Sequence, residues 1–314
     1  MPRTLKVAAA QSGPVSRSSS RADVVERRID QMHAAHAQDC DLVVFPECAL
    51  TAFFPHWWID DEDELDSWFE REMPGPETQP LFDEATRLGI GFHLGYAELA
   101  FEQGRKRRFN SCVLVGKDGR IIGHHRKIHL PGHVDHRPHN PFQNLEKRYF
   151  DVGDNGFQTW NAFGGVVGMC ICNDRRWPET YRVLALNGAE LIVLGYNTPT
   201  HIPEYPELDR LVEFQHQLCM QAGAYQNGCW IVAVAKAGIE EGVDQIGFSC
   251  IISPDGETVE ESETTQDELI VCDCDLDQAR RCRERFNFAV NRSIEQYAPI
   301  TQQRDAVPPA DGGQ

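Results

Sequence analysis

The sequence has little positive charge. Among 314 residues, 30 lysines and arginines are outnumbered by 48 aspartates and glutamates, which gives a formal net charge of −18 at pH 7. Nucleic acids and anionic membranes carry charge of the same sign, so neither is expected as a partner. Any site for an anionic ligand must therefore bring its own cations together.

Long apolar runs are also missing. No stretch reaches the length that a membrane-spanning helix requires, and the first residues lack the uninterrupted apolar region of a secretion signal. The 11 cysteines are odd in number and follow no disulfide framework, so we expect a cytoplasmic protein with reduced thiols. The pairs Cys170/Cys172 and Cys272/Cys274 lie in strand-like runs, which weakens a metal-binding interpretation.

No change of composition marks a linker between domains, and no internal repeat is present. Strand-like and helix-like segments alternate, which favours one layered α/β domain with a mixed sheet. We assign residues 1–300 to this domain and residues 301–314 to a mobile C-terminal tail. Helices are predicted over residues 21–37, 77–88, 179–186, 208–226 and 276–286. Strands are predicted over residues 5–10, 42–45, 90–99, 111–115, 121–127, 163–172, 191–194, 230–236, 247–253 and 268–274.

Three of these predicted strands end at a residue with reactive chemistry. Glu47 follows the strand predicted over residues 42–45, Lys127 ends the strand over 121–127 and Cys172 ends the strand over 163–172. If these strands pair in one sheet, their ends converge at its rim. A carboxylate there can take the thiol proton, while the ammonium and the backbone N–H of Asn173 stabilise an oxyanion. The pattern predicts a cysteine nucleophile.

The motifs around these residues resemble those of a known family. Phe45-Pro-Glu47, Arg126-Lys127-Ile-His-Leu-Pro-Gly132 and Cys172-Asn-Asp-Arg-Arg-Trp-Pro-Glu179 are similar to the Glu, Lys and Cys motifs of the nitrilase (carbon–nitrogen hydrolase) superfamily. The resemblance runs over residues 5 to 295. It implies a single-domain α-β-β-α sandwich with mixed sheets, usually paired through its helices into dimers and larger homo-oligomers such as tetramers.

The same resemblance implies the roles of the reactive residues. Glu47 is the base, Lys127 stabilises the oxyanion and Cys172 is the nucleophile, while Glu146 is a second carboxylate that orients Lys127. No cofactor and no metal are implied.

Within the superfamily, the chain most resembles the branch that hydrolyses N-carbamoyl-D-amino acids to the amino acid, CO2 and ammonia. In that branch paired arginines, here Arg175 and Arg176, hold the substrate carboxylate, for which the planar guanidinium is well suited. The small-molecule substrate is therefore expected to carry a carboxylate. Further residues implied to position it are Asn173, Asn197, Thr198, His129 and Asn144.

Two positions depart from that branch. Asn144 and Gln215 stand where histidines are expected, whereas His129 and His216 are retained. The segment from residue 133 to residue 140, beside the Lys motif, differs strongly as well. We therefore hypothesise an altered substrate, with a different side chain or acyl group.

Other functions remain open at this point. A carboxylamide hydrolase of the same superfamily, acting on another acid-bearing substrate, is the first alternative. A nitrile hydrolase is less favoured by the residues after Cys172. A third possibility is a non-catalytic metal-binding or scaffolding protein that uses the six histidines between His124 and His139. Their spacing fits no compact zinc motif, and a polar loop over the pocket is the favoured interpretation.

Overall fold

A computed structural model describes residues 3–306 of the chain. Its strands are β1 (Thr4–Gln11), β2 (Leu42–Val44), β3 (Gly91–Glu102), β4 (Arg105–Val115), β5 (Ile121–Arg126), β6 (Thr159–Ala162), β7 (Gly165–Ile171), β8 (Leu191–Tyr196), β9 (Trp230–Ala235), β10 (Ala237–Glu240), β11 (Val243–Ile246), β12 (Cys250–Ile252), β13 (Thr258–Glu261) and β14 (Glu268–Asp275). Its α-helices are α1 (Arg21–His36), α2 (Glu62–Asp66), α3 (Gln79–Leu88), α4 (Glu146–Tyr149), α5 (Pro178–Leu186), α6 (Val212–Asn227), α7 (Leu276–Phe286), α8 (Phe288–Asn291) and α9 (Ala298–Gln302).

The strands form two six-stranded mixed sheets. The first has the order β14-β1-β2-β3-β4-β5 and the second the order β13-β12-β9-β8-β7-β6, while β10 and β11 form a separate hairpin. The centre of each sheet is parallel, because β1, β2 and β3 run together, as do β7, β8 and β9. Antiparallel strands complete both sheets.

Both faces of the central strands are buried, which explains why their sequences read as nearly continuous apolar runs. In β1, Val7 and Ala9 face the second sheet, whereas Ala8 and Ala10 face α1 and α3. The outer face of the second sheet is covered by α5 and α6 through residues such as Leu184. The layers therefore run helix, sheet, sheet, helix, and the expected α-β-β-α sandwich is confirmed.

The three strands that precede the reactive residues do not share one sheet, so the condition considered from the sequence is not met. β2 and β5, which precede Glu47 and Lys127, belong to the first sheet, but β7, which precedes Cys172, belongs to the second. The reactive residues meet between the sheets, where the ends of β2 and β5 face the end of β7. Periodicity within one strand contains no information about which sheet that strand joins.

Several element bounds also differ from the prediction. The helix expected from residue 208 begins at Val212, after a 3₁₀ turn over Pro206–Leu211. The strand expected from residue 247 is limited to Cys250–Ile252, and β6, β10, β11 and β13 were not predicted. The predicted boundary between domain and tail, after residue 300, falls inside α9, and residues 307–314 of that tail lie outside the described residues. Between residues 3 and 306, no helix is long and apolar enough to cross a membrane.

Gly195 in β8, in the second sheet, lies directly against the loop after β2 of the first sheet. A Cβ atom at this position would lie 2.2 Å from the backbone N of Glu47 and 2.4 Å from the carbonyl C of Pro46. No side chain fits there, so glycine allows the second sheet to contact the backbone of Glu47 directly. The position of this carboxylate thus depends on a residue that has no functional group of its own.

We predict that Gly195→Ala destabilises the protein by roughly 3 kcal/mol or more and reduces activity, because the methyl group displaces the Glu47 backbone. Gly104→Ala is the matched control. Gly104 has φ +75°, and no heavy atom lies within 4 Å of the place that a Cβ would occupy. Alanine there should reduce the free energy of unfolding only by the cost of a left-handed backbone, about 1–2 kcal/mol. Denaturant unfolding measures both variants, and equal stability of the two with full activity would contradict the prediction.

Candidate active site

Cys172 lies at a sharp turn where β7 ends. Its backbone is left-handed, with φ +45°, which is unusual for a residue with a side chain, and a 3₁₀ turn over Cys172–Arg176 follows. The buried carboxylate of Asp174 holds this turn by accepting hydrogen bonds from the backbone N–H of Ile171 (3.1 Å) and of His129 (2.9 Å). The thiol donates to the carbonyl of Asn197 at 3.4 Å.

Glu47 is completely buried, and all of its hydrogen-bonding directions are occupied. Oε1 accepts from Lys127 Nζ and from Asn110 Nδ2, each at 2.7 Å. Oε2 accepts from the backbone N–H and the side-chain amide of Asn197, at 2.9 and 3.0 Å. These four contacts fix the position of the carboxylate.

Lys127 joins Glu47 to the second carboxylate. Its ammonium donates to Glu47 Oε1 at 2.7 Å and to Glu146 Oε2 at 2.5 Å. A carboxylate oxygen of Glu47, a carboxylate oxygen of Glu146 and Sγ of Cys172 lie within 4.8 Å of one another. The structure therefore brings all four predicted reactive residues together, and Glu146 lies where it can orient Lys127.

Burial and charge shift the proton affinities of this cluster. Burial and the charge of Glu47 together raise the pKa of the Cys172 thiol to about 11, against the opposing effect of Lys127 and Arg175. Burial likewise raises the pKa of Glu146 to about 7. Burial disfavours the charge of Lys127, but the acidic groups of Cys172, Glu146 and Glu47 outweigh it and hold the Lys127 pKa well above its usual value. At neutral pH the thiol is protonated and needs a base to become a nucleophile.

A cavity of about 590 Å³ opens onto the thiol. Cys172 and Glu146 line it, whereas Glu47 and Lys127 lie buried behind them. Most of the predicted substrate-binding residues also line it, namely Asn144, Asn173, Arg175, Arg176, Asn197 and Thr198. His129 is not in the lining. Its ring Nδ1 forms a hydrogen bond with Asp174 at 2.8 Å, and the ring stacks on Trp177. His129 therefore supports the Cys172 turn from outside the cavity.

The two arginines occupy different positions. Arg175 is buried and donates to the carbonyl of Cys172 (2.8 Å), to Thr198 Oγ1 (2.9 Å) and to His216 Nδ1 (3.2 Å). Arg176 is exposed at the cavity wall and makes no hydrogen bond or ion pair with any residue from 3 to 306. Neither guanidinium is paired with a carboxylate of that part of the chain, so the cavity has positive charge available for an anion.

Burial and the neighbouring Arg175 hold the pKa of His216 well below its usual value, so this imidazole is neutral. Its Nδ1 then accepts from Arg175, and its Nε2 donates to the carbonyl of Phe248 at 3.4 Å. Gln215 and Asn144 are the two positions where histidines were expected from the sequence, and both line this cavity.

The histidines between His124 and His139 do not converge. His124 contacts Glu98, His125 and His129 contact Asp174, and His136 stacks on Trp58. Within residues 3–306 the only His, Cys, Asp and Glu group with metal-like spacing is Glu47, Glu146 and Cys172, and Lys127 already bonds both of its carboxylates. The structure gives no support to a metal site in the histidine-rich segment.

Sequence reasoning missed two residues of this site. Asn110 in β4 donates to Glu47 (2.7 Å) and to Glu146 (3.4 Å), so it braces both carboxylates. No pattern in the sequence distinguishes it from a surface asparagine. Asp174 stands inside the Cys motif, and an acidic residue two positions after the nucleophile was the available signal.

A buried cluster of a thiol, two carboxylates and an ammonium thus lies between the sheets of an α-β-β-α sandwich, at the base of a cavity. Residues 6–284 match the family described as carbon-nitrogen hydrolase, and the chain belongs to this family.

Individual relatives agree with this assignment. An N-carbamoylputrescine amidase from Solanum lycopersicum is 28% identical over 307 residues, which cover 94% of each chain. A citrullinase from Francisella tularensis is 28% identical over 208 residues, covering 64% of this chain and 68% of the relative. The crystal structure of a carbon-nitrogen hydrolase from Helicobacter pylori G27 has the same fold, with a TM-score of 0.81, 22% identity and coverage of 96% and 99% of the two chains.

We predict opposite effects of Glu47→Gln on thiol reactivity and on turnover. Removing the negative charge lowers the Cys172 pKa, so alkylation of this thiol by iodoacetamide at neutral pH becomes faster. Turnover falls by roughly 100- to 10,000-fold, because the base is gone. Peptide mass spectrometry follows Cys172, and Glu64→Gln, at an exposed ion pair with Arg17, is the control. Slower alkylation in Glu47→Gln would contradict the assigned electrostatics.

Proposed function

We propose that this enzyme hydrolyses N-carbamoyl amino acids, with D configuration preferred, to the amino acid, CO2 and ammonia. The observation that carries the proposal is the free guanidinium of Arg176 in the same cavity as the Cys172 thiol. A substrate with a ureido group at one end and a carboxylate at the other matches these two groups. The chirality rests on the resemblance of the motifs alone.

In the proposed reaction, Cys172 Sγ attacks the ureido carbonyl carbon while its proton passes to Glu47. The ammonium of Lys127 and the backbone N–H of Asn173 stabilise the resulting oxyanion, each donor being worth on the order of 3 kcal/mol. The bond to the amino-acid nitrogen then breaks, and Glu47 returns the proton to that leaving amine. A carbamoyl thioester remains on Cys172.

The second half of the reaction uses water. Glu47 removes a proton from water, the hydroxide attacks the carbamoyl carbon, and the carbon–sulfur bond breaks as the thiol regains its proton. The released carbamic acid decomposes to CO2 and ammonia. No step changes an oxidation state, so the side chains and the backbone N–H named above suffice for this reaction.

The names of the relatives favour carbamoyl chemistry. N-carbamoylputrescine and citrulline both contain a ureido group. They differ at the other end, since putrescine ends in an amine whereas citrulline is an amino acid. An amine cation would be repelled by the two arginines of this cavity, while a carboxylate is attracted. The charge of the cavity therefore favours an acid-bearing carbamoyl substrate.

The two departures support an altered side chain or acyl group. Asn144 Oδ1 is buried and has no hydrogen-bond partner among residues 3–306, and Gln215 makes no side-chain hydrogen bond there either. An unpaired buried acceptor is costly, so a donor from the substrate is expected to satisfy Asn144. A histidine at either place would offer a different shape and a different hydrogen-bonding pattern.

A substrate panel tests the proposed function. We expect turnover of an N-carbamoyl amino acid with equimolar ammonia and CO2, and no turnover in Cys172→Ala. Arg176→Gln should raise KM for that substrate by roughly 10- to 150-fold, since a charge-assisted contact is worth about 1.5–3 kcal/mol, while the rate with a neutral N-carbamoyl amine stays unchanged.

Other results would indicate a different activity or contradict the assigned roles. Ammonia without equimolar CO2, from a carboxylamide that carries an acid, would identify the alternative carboxylamide hydrolase. Preference for N-carbamoylputrescine over every carbamoyl acid would contradict the role of the arginines. Activity retained in Cys172→Ala would exclude the proposed nucleophile.

We also infer self-association into a dimer or tetramer through α5 and α6, which pack side by side over the second sheet. Phe214, Leu218 and Tyr225 lie on one face of α6, and all three are exposed. Val183 and Leu186 of the neighbouring helix α5 are also exposed. Several exposed apolar residues on adjacent helices are typical of protein interfaces.

Sedimentation velocity tests the association. We expect a dimer or larger species for the wild type and a monomer for the double variant Phe214→Glu, Leu218→Glu, because two buried charges oppose the contact. Phe101→Glu, at an exposed position at the end of β3, is the control. A monomeric wild-type protein would contradict the inference.

A further inference from the structure

The mouth of the cavity is bridged by a group of polar contacts to a single carboxylate. Glu204 Oε1 accepts hydrogen bonds from Arg137 Nη1 at 2.8 Å and from Asn140 Nδ2 at 3.0 Å, and His133 Nε2 lies 3.5 Å from the same oxygen. We call these four side chains the clamp. Three of its members belong to the segment 131–143, and Glu204 belongs to the segment 199–205.

Each segment is otherwise tied to its own surroundings. In the first, His133 N–H donates to the carbonyl of Asn144 (2.9 Å) and Gln143 N–H donates to that of His56 (3.0 Å). In the second, Thr200 N–H donates to the carbonyl of Asp244 (2.9 Å). Within residues 3–306, the clamp makes the only side-chain hydrogen bonds that join the two segments, and an edge contact of Phe142 with His201 lies beside it.

Three members of the clamp, His133, Arg137 and Glu204, line the same cavity as the thiol. The side chains of Arg137 and Glu204 are 41% and 26% exposed, whereas Cys172 is 5% exposed. The clamp is thus a more exposed part of the cavity lining, and the thiol a more buried part. Partly exposed ion pairs contribute little net stability, so breaking this bridge costs little free energy.

We propose that Glu204 determines the size of the molecules that enter the cavity. With the clamp closed, the two segments are held together and only a narrow molecule passes. With the clamp broken, the segments separate and a wider molecule gains access. This inference concerns access to Cys172 and does not depend on which bond the enzyme cleaves.

The rate of alkylation of Cys172 by two reagents with the same reactive group tests the proposal. Iodoacetamide is small, and N-(1-pyrenyl)iodoacetamide is bulky and also neutral, so charge does not distinguish them. Peptide mass spectrometry follows Cys172, with the partly exposed Cys272 in β14 as internal reference. The variants are Glu204→Gln, which keeps the shape but loses the charge, and Arg137→Met, which keeps the length but loses the donors.

We expect both variants to raise the bulky-to-small rate ratio at Cys172 by about two- to fivefold, the range that an exposed ion pair supports. The ratio in Glu284→Gln, which breaks an exposed ion pair with Arg280 in α7, should equal that of the wild type. A ratio that stays the same or falls in both clamp variants overturns the proposal, even if both absolute rates rise.

Discussion

The ammonium of Lys127, held between two buried carboxylates, is the interaction on which the site depends. Three charges taken out of water are costly unless each is paired, and Lys127 pairs with Glu47 and Glu146 at once. Without it, two buried carboxylates would face each other beside the thiol with no cation to offset their repulsion. With Lys127 in place, Glu47 lies beside Cys172, whose raised pKa keeps the resting thiol protonated at neutral pH.

The fold supplies this arrangement by facing two sheets rather than by joining strands within one. Glu47 and Lys127 come from the first sheet and Cys172 from the second, and Gly195 allows the backbones of the two sheets to touch. The left-handed turn at Cys172, held by Asp174, directs the thiol across the gap. The stability of the sandwich and the geometry of the reactive cluster thus have a common origin.

The layers and the family could be predicted from the sequence, and it singled out four residues that the structure brings together, because apolar strands that end in Glu47, Lys127 and Cys172 form an unusual pattern. It did not reveal that two sheets share these residues, since strand periodicity is the same in either sheet. It also did not separate Arg175, which is bonded to the Cys172 turn, from Arg176, which is free at the cavity wall. Two neighbouring arginines differ only in the direction in which their side chains point, and tertiary packing sets that direction.

We propose that resting Cys172 is a protonated thiol in a buried position beside Glu47, and its titration tests this most directly. The ultraviolet absorbance of thiolate, taken as the difference between the wild type and Cys172→Ala, isolates this residue from the other cysteines. The account predicts no difference at neutral pH and a rise only as the pH approaches about 11. A Cys172 thiolate already present at neutral pH would contradict it.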